Sequence, residues 1–160
     1  MTMNGSDFMT YDNLLMEAEK EGVIVREKDI PGYGGRTYEN RIAIHKDIAT
    51  SKEKTCVLAE ELGHYHTTIG DIHDQSLASN RKQELHARLH GYNRLIGLNG
   101  IIRAYRHHCQ NLAEMAEYLE VTETFLKEAL EIYRQKYGTG VEIDNYVVIF
   151  EPRLAVLEKL

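Results

Sequence analysis

Residues 58–66 read Leu-Ala-Glu-Glu-Leu-Gly-His-Tyr-His, two adjacent carboxylates followed by an imidazole. On a helix, Glu60 and His64 lie four residues apart on one face, and Glu61, three before His64, borders it. A helix carrying His-Glu-x-x-His holds a metal between its two histidines and keeps the glutamate as a base. Glu61 and His64 fill the second and fifth places of that pattern, while Glu60 stands where the first histidine would be. Two readings follow: a metal site with an altered ligand, or a solvated helix face with two acids and a histidine.

Leu58, Leu62 and Tyr65 form a separate apolar stripe for the core. Gly63 costs about 1 kcal/mol in a helix interior relative to alanine. It makes sense where another backbone or a substrate comes close.

A metal would need a third ligand from elsewhere. On the next helical segment, Leu85, Leu89, Tyr92 and Ile96 make a core stripe, and Glu84, Ala87, Gly91 and Leu95 make the adjoining edge. The small residues beside Glu84 would let this helix approach the motif helix. Glu84 is then either a third ligand or a surface glutamate. His86 and His90 point roughly opposite to Glu84 and read as surface histidines. His107 and His108 diverge, His66 faces away from His64, and His73 sits in a connection.

These residues need elements to position them. Residues 11–22 read as an amphipathic helix stopped by Gly22, followed by a short strand over 23–27 and a Pro/Gly loop. Residues 36–47 alternate around Tyr38, Ile42 and Ile44 with Glu39-Asn40 as a turn, which predicts a hairpin. Thr50 or Ser51 caps the motif helix, about 51–68, which Gly70 ends. A polar connection over 71–80 leads to a second helix, about 80–96, ending near Gly97. Residues 101–137 read as helical with a break near Val121-Thr122, and residues 144–152 as a late strand closed by Pro152. This order predicts an α+β fold, a small antiparallel sheet packed with the motif helix and a helical C-terminal part, in one domain over 1–160.

The chain has 160 residues, 42% of them apolar, enough for a real core. Its formal charge of −6 disfavours bulk nucleic-acid binding, although a local basic patch remains compatible with it. No charged leader with an apolar core opens the chain, and no run approaches the roughly 18 apolar residues of a spanning helix. A cytoplasmic protein away from the membrane is expected. Cys56 and Cys109 fit a reducing compartment.

Taken together, the segments at 54–68, 70–98, 114–130 and 144–152 resemble the ImmA/IrrE-type metallopeptidases, in the branch carried by phages and integrating elements of Gram-positive bacteria. The likeness runs from residue 11 to the C-terminus. Such proteins are similar in having a His-Glu-x-x-His helix followed by a helix with a glutamate three residues before an alanine, here Glu84 and Ala87. The resemblance implies a peptidase that cuts a helix-turn-helix repressor and relieves repression of a mobile element. It implies Glu61 as general base, and His64 and Glu84 as metal ligands with Glu60 in the place of the first histidine. Zinc bound by one histidine and two carboxylates has a net charge near zero, against about +1 for a two-histidine site, and so acidifies its water less. Carboxylates also suit manganese or iron. The alternative is a degenerate relative that grips the repressor without cutting it.

Residues 112–130 also have the pattern of a helix-turn-helix. The start of the second helix, Thr122-Glu123-Thr124, is acidic, and Lys127 is its one cation. That composition repels phosphate. A helical part of the peptidase fold is expected there, with no direct nucleic-acid contact; a DNA-binding regulator is the third and weaker reading.

Overall fold

The computed structural model describes residues 9–68 and 77–160. Gly70 and His73 fall outside it, as does the connection expected over 71–80 up to residue 76. The fold is α+β. The elements are α1 (Tyr11–Lys20), β1 (Ile24–Lys28), β2 (Gly35–Tyr38), β3 (Arg41–His45), α2 (Ser51–Thr67), α3 (Leu77–Leu95), α4 (Gly97–Arg106), α5 (Leu112–Leu119), α6 (Glu123–Tyr137), β4 (Gly140–Ile143), β5 (Tyr146–Ile149) and β6 (Ala155–Glu158). They form two compact units, Met1–Arg94 and Leu95–Leu160. No helix among the described residues is long and apolar enough to cross a membrane.

In the first unit, Thr10 caps α1 by accepting from the Asn13 N–H, and α1 buries Leu14 and Ala18. Gly22, at φ +80°, reverses the chain into β1, a left-handed conformation that glycine adopts without steric cost. The expected hairpin forms: β2 and β3 pair antiparallel around Glu39-Asn40, with Tyr38 opposite Arg41. The sheet is mixed, because β1 joins the far side of β3 in parallel, giving the order β1-β3-β2. β3 is the central strand, and its Ile42 and Ile44 are buried.

Thr50 caps α2 through the Glu53 N–H at 3.1 Å. The helix buries Thr55, Cys56, Leu58, Ala59, Leu62 and Gly63. Along α3 the buried residues are Ala87, Tyr92 and Leu95, with Gly91, whereas Leu85 is 42% exposed. The small-residue edge is therefore buried together with Tyr92 and Ile96 of the expected core stripe, while Leu85 at the start of that stripe is exposed. Backbones can approach only where side chains are short. A Cβ on Gly63 would lie 2.1 Å from the Ala87 carbonyl oxygen, and one on Gly91 would lie 3.0 Å from the Ala59 oxygen. The α2 and α3 backbones are in contact at both places, and the pairing 63 with 87 and 59 with 91 makes the helices antiparallel.

The second unit buries Ile101, Ile102 and Ala104 of α4 with Leu126, Ala129 and Tyr133 of α6. The helical stretch breaks twice. The expected break lies at Glu120–Thr122, where Thr122 caps α6 through the Phe125 N–H. A second lies at 107–111, where His108 adopts φ +63° and Asn111 caps α5 through the Glu114 N–H. The late strand is β5, the centre of an antiparallel meander, β4-β5-β6.

Candidate functional site

The site lies in the first unit, where α2 passes β2 on one side and α3 on the other. Glu61 of α2 is half-buried against β2. The Thr37 hydroxyl of β2 donates to the Glu61 carboxylate and also lies 3.1 Å from the Glu61 carbonyl oxygen. One hydroxyl hydrogen thus faces two acceptors. Gly35, two residues earlier on the same face, makes the approach possible: a Cβ there would fall 2.8 Å from Glu61 Cγ. Burial raises the pKa of Glu61 above the ordinary carboxylate value; the Thr37 bond and His64 oppose the rise, and Glu84 adds to it.

Across α2, His64 Nε2 stands 3.6 Å from Glu84 Oε2 of α3. Glu61, His64 and Glu84 are thus brought together, three of the four residues singled out in the sequence. Glu60 is half-buried one turn before His64. Its backbone nitrogen lies against α3, 3.2 Å from where a Cβ on Gly91 would sit. Among the described residues, no three His, Cys, Asp or Glu side chains are drawn closely enough together to hold a metal ion. The His64–Glu84 pair itself fits a divalent metal. Imidazole and carboxylate are zinc donors, and two atoms each about 2.0–2.2 Å from a tetrahedral centre stand roughly 3.4 Å apart.

Sequence reasoning missed Thr37 and Gly35, which lie 24 and 26 residues before Glu61. The available signal was the small-polar alternation Gly35, Thr37, but Gly35 reads as the end of the Pro/Gly loop and is in fact the first residue of β2. That strand is also open along one edge. His45 N donates to Gly34 O at 2.8 Å, and Tyr38 pairs with Arg41 at the two-residue turn. By the alternation of an antiparallel ladder, the backbone groups of Gly35 and Thr37 then point away from β3, toward the edge that no other strand covers among the described residues.

The other histidines among the described residues stand apart from this site. His90, expected at the surface, is half-buried and stacks on His66 at 4.9 Å between centroids. Burial, with Arg94 and His66 beside it, lowers its pKa. His66 Nε2 contacts Glu21 at 2.9 Å, and Arg94 reaches Glu17 and Glu21 at 3.1 and 3.0 Å, tying α1, α2 and α3 together. His86 is exposed, and His107 stacks on Tyr118. Comparison with known protein families, with curated proteins and with solved structures finds no match to this chain.

Proposed function

We propose that this chain is a metal-dependent endopeptidase of the cytoplasm that cuts a helix-turn-helix repressor, as its resemblance to ImmA/IrrE-type proteins implies. The observation that supports this most is the placement of Glu61: a half-buried carboxyl of raised proton affinity, oriented by Thr37, beside the His64–Glu84 pair. A carboxylate whose pKa moves toward neutrality is better matched to general-base work. His64 and Glu84 would hold the metal, with Glu60 as the third arm. When bound, a divalent metal supplies a Lewis acid and acidifies water. Glu61 takes a proton from the attacking water and carries it toward the departing amine. Thr37 keeps the carboxyl aimed while its charge changes. The outward backbone groups of Gly35 and Thr37 offer an extended substrate segment a strand to pair with, next to the acid.

A second reading, a binder that grips the repressor without cutting it, draws on one feature. The antiparallel register that sets His64 against Glu84 sets Glu60, one turn back, level with Arg88, one turn on. A guanidinium there would balance Glu60 in place of a metal.

The experiment measures metal content of untagged protein and cleavage of the cognate repressor with zinc, manganese or iron added. Wild type is expected to hold stoichiometric metal and cleave. His64→Ala should lose the metal. Glu61→Gln should keep metal and repressor binding while cleavage falls by about a hundredfold to ten-thousandfold. Equal cleavage by Glu61→Gln removes Glu61 from the chemistry. Repressor binding without cleavage under any metal establishes the second reading instead.

A further inference from the structure

The sheet of the first unit has a second face, opposite Glu61. Strand alternation assigns its residues. Val25, Glu27, Gly35, Thr37, Ile42 and Ile44 lie on the α2 side, as the Lys54–Glu27 pair and the Thr37–Glu61 bond require. The other side therefore presents Arg26 and Lys28 from β1, Arg36 and Tyr38 from β2, and Arg41 from β3. All five are exposed, Tyr38 to 72%. In cross-strand register, Arg26, Ala43 and Arg36 make one row, and Ile24, Arg41 and Tyr38 the next.

None of the four cations on this face forms an ion pair with an acid among the described residues. Arg26 donates to the Val25 carbonyl at 3.0 Å, and the Arg36 guanidinium lies 5.4 Å from the centroid of the Tyr33 ring. The acids nearby sit at the margins: Asp29, 3.5 Å from His45 at the end of β1, and Glu39 in the hairpin turn. Four cations with no ion-pair partner among the described residues, on one small sheet, run against the −6 of the whole chain. Tyr33, at 59% exposed, adds a second open ring beside them.

We propose that this outer sheet face binds single-stranded nucleic acid. The charges suit a phosphate backbone: alternate residues of a strand stand about 6.8 Å apart and neighbouring strands about 4.8 Å. The open tyrosines decide between polyanions. An acidic peptide uses the cations alone, whereas unpaired bases stack on exposed rings with little regard to sequence. A duplex hides its base faces and leaves the rings idle. The binding is independent of the proposed peptidase activity, whose residues lie on the opposite side of the sheet.

The test is fluorescence anisotropy of the full chain with a labelled oligo-dT of about 20 nucleotides, set beside a duplex and an oligo-glutamate peptide of similar length. Four phosphate contacts predict a salt slope of about −2.8, or roughly fifty-fold weaker binding at 200 mM than at 50 mM salt. Arg26→Glu with Arg41→Glu should abolish binding. The milder Arg26→Gln with Arg41→Gln should weaken it and flatten the slope by about 1.4. Tyr38→Ala should weaken it about fivefold or more at an unchanged slope. Circular dichroism checks that each variant is folded. No binding of oligo-dT at 50 mM salt overturns the proposal, as does binding indifferent to the glutamine pair. Tighter binding of oligo-glutamate would make the face a dock for an acidic protein. Equal binding of the duplex would remove the stacking role.

Discussion

Gly63→Ala sets two physical effects against each other, and the structure says which wins. Helix propensity alone favours alanine by about 1 kcal/mol. The new Cβ, however, would sit 2.1 Å from the Ala87 carbonyl oxygen, where ordinary contact begins at 3.4 Å. The obstacle is backbone, so no rotamer change relieves it, and α2 and α3 must part by roughly 1 Å. Overpacking of this kind costs up to about 3 kcal/mol. The net expectation is a loss of about 2 kcal/mol after the propensity gain. With a urea m-value of about 1–3 kcal/mol/M, the unfolding midpoint should fall by roughly 1 M. Gly100→Ala is the control: its Cβ would first meet Leu119 Cδ2 at 3.4 Å, so only the propensity gain remains. A Gly63→Ala protein as stable as wild type, or more so, would refute the close approach of the two helices.

Two further outcomes are expected. Burial alone would raise the pKa of Glu21, but hydrogen bonds from His66 and Arg94 carry it below the ordinary value. A depressed carboxylate contributes stability above its unfolded pKa and loses it as pH falls through the folded one. Glu21→Gln should therefore lower the urea midpoint at pH 7, and the difference from wild type should disappear as the medium is acidified below pH 4; a constant difference across that range would contradict the assignment. Thr122→Ala removes the oxygen that accepts from the Phe125 N–H at 3.1 Å and should cost about 1 kcal/mol in thermal or urea unfolding. An unchanged midpoint would show that the cap contributes nothing.

Much of the site was legible because its geometry is local or carried by residue size. His64 and its neighbours follow from helical spacing. The meeting with Glu84 follows from Gly63, Ala87 and Gly91, since small residues mark where backbones approach. The hairpin was legible from Glu39-Asn40 between alternating runs. Thr37 was not, because the contact that holds Glu61 joins two separate elements, and nothing local in β2 names its partner. The parallel pairing of β1 with β3 was hidden for the same reason: pairing direction is set by topology, not by the pattern of one strand. On the second helix Tyr92 and Ile96 are buried as expected, but Leu85 is exposed, because Ala87 and Gly91 beside it let the backbones close and take the core-facing place. The cationic sheet face was diluted in the sum of charges, which averages over a surface that strand alternation divides.

The hairpin at Glu39-Asn40 now takes on a larger part. Its two-residue turn, with Glu39 in the left-handed region at φ +53°, sets the phase of β2 against β3. Side chains alternate with a period of two, so a shift of one residue exchanges the faces. Arg36 or Tyr38 would then turn inward to Glu61, and Thr37 would be carried outward among the cations. Orientation of the acid and display of positive charge are thus not separately adjustable traits of this strand. They have a common parity, and a one-residue slip of β2 against β3 inverts both at once.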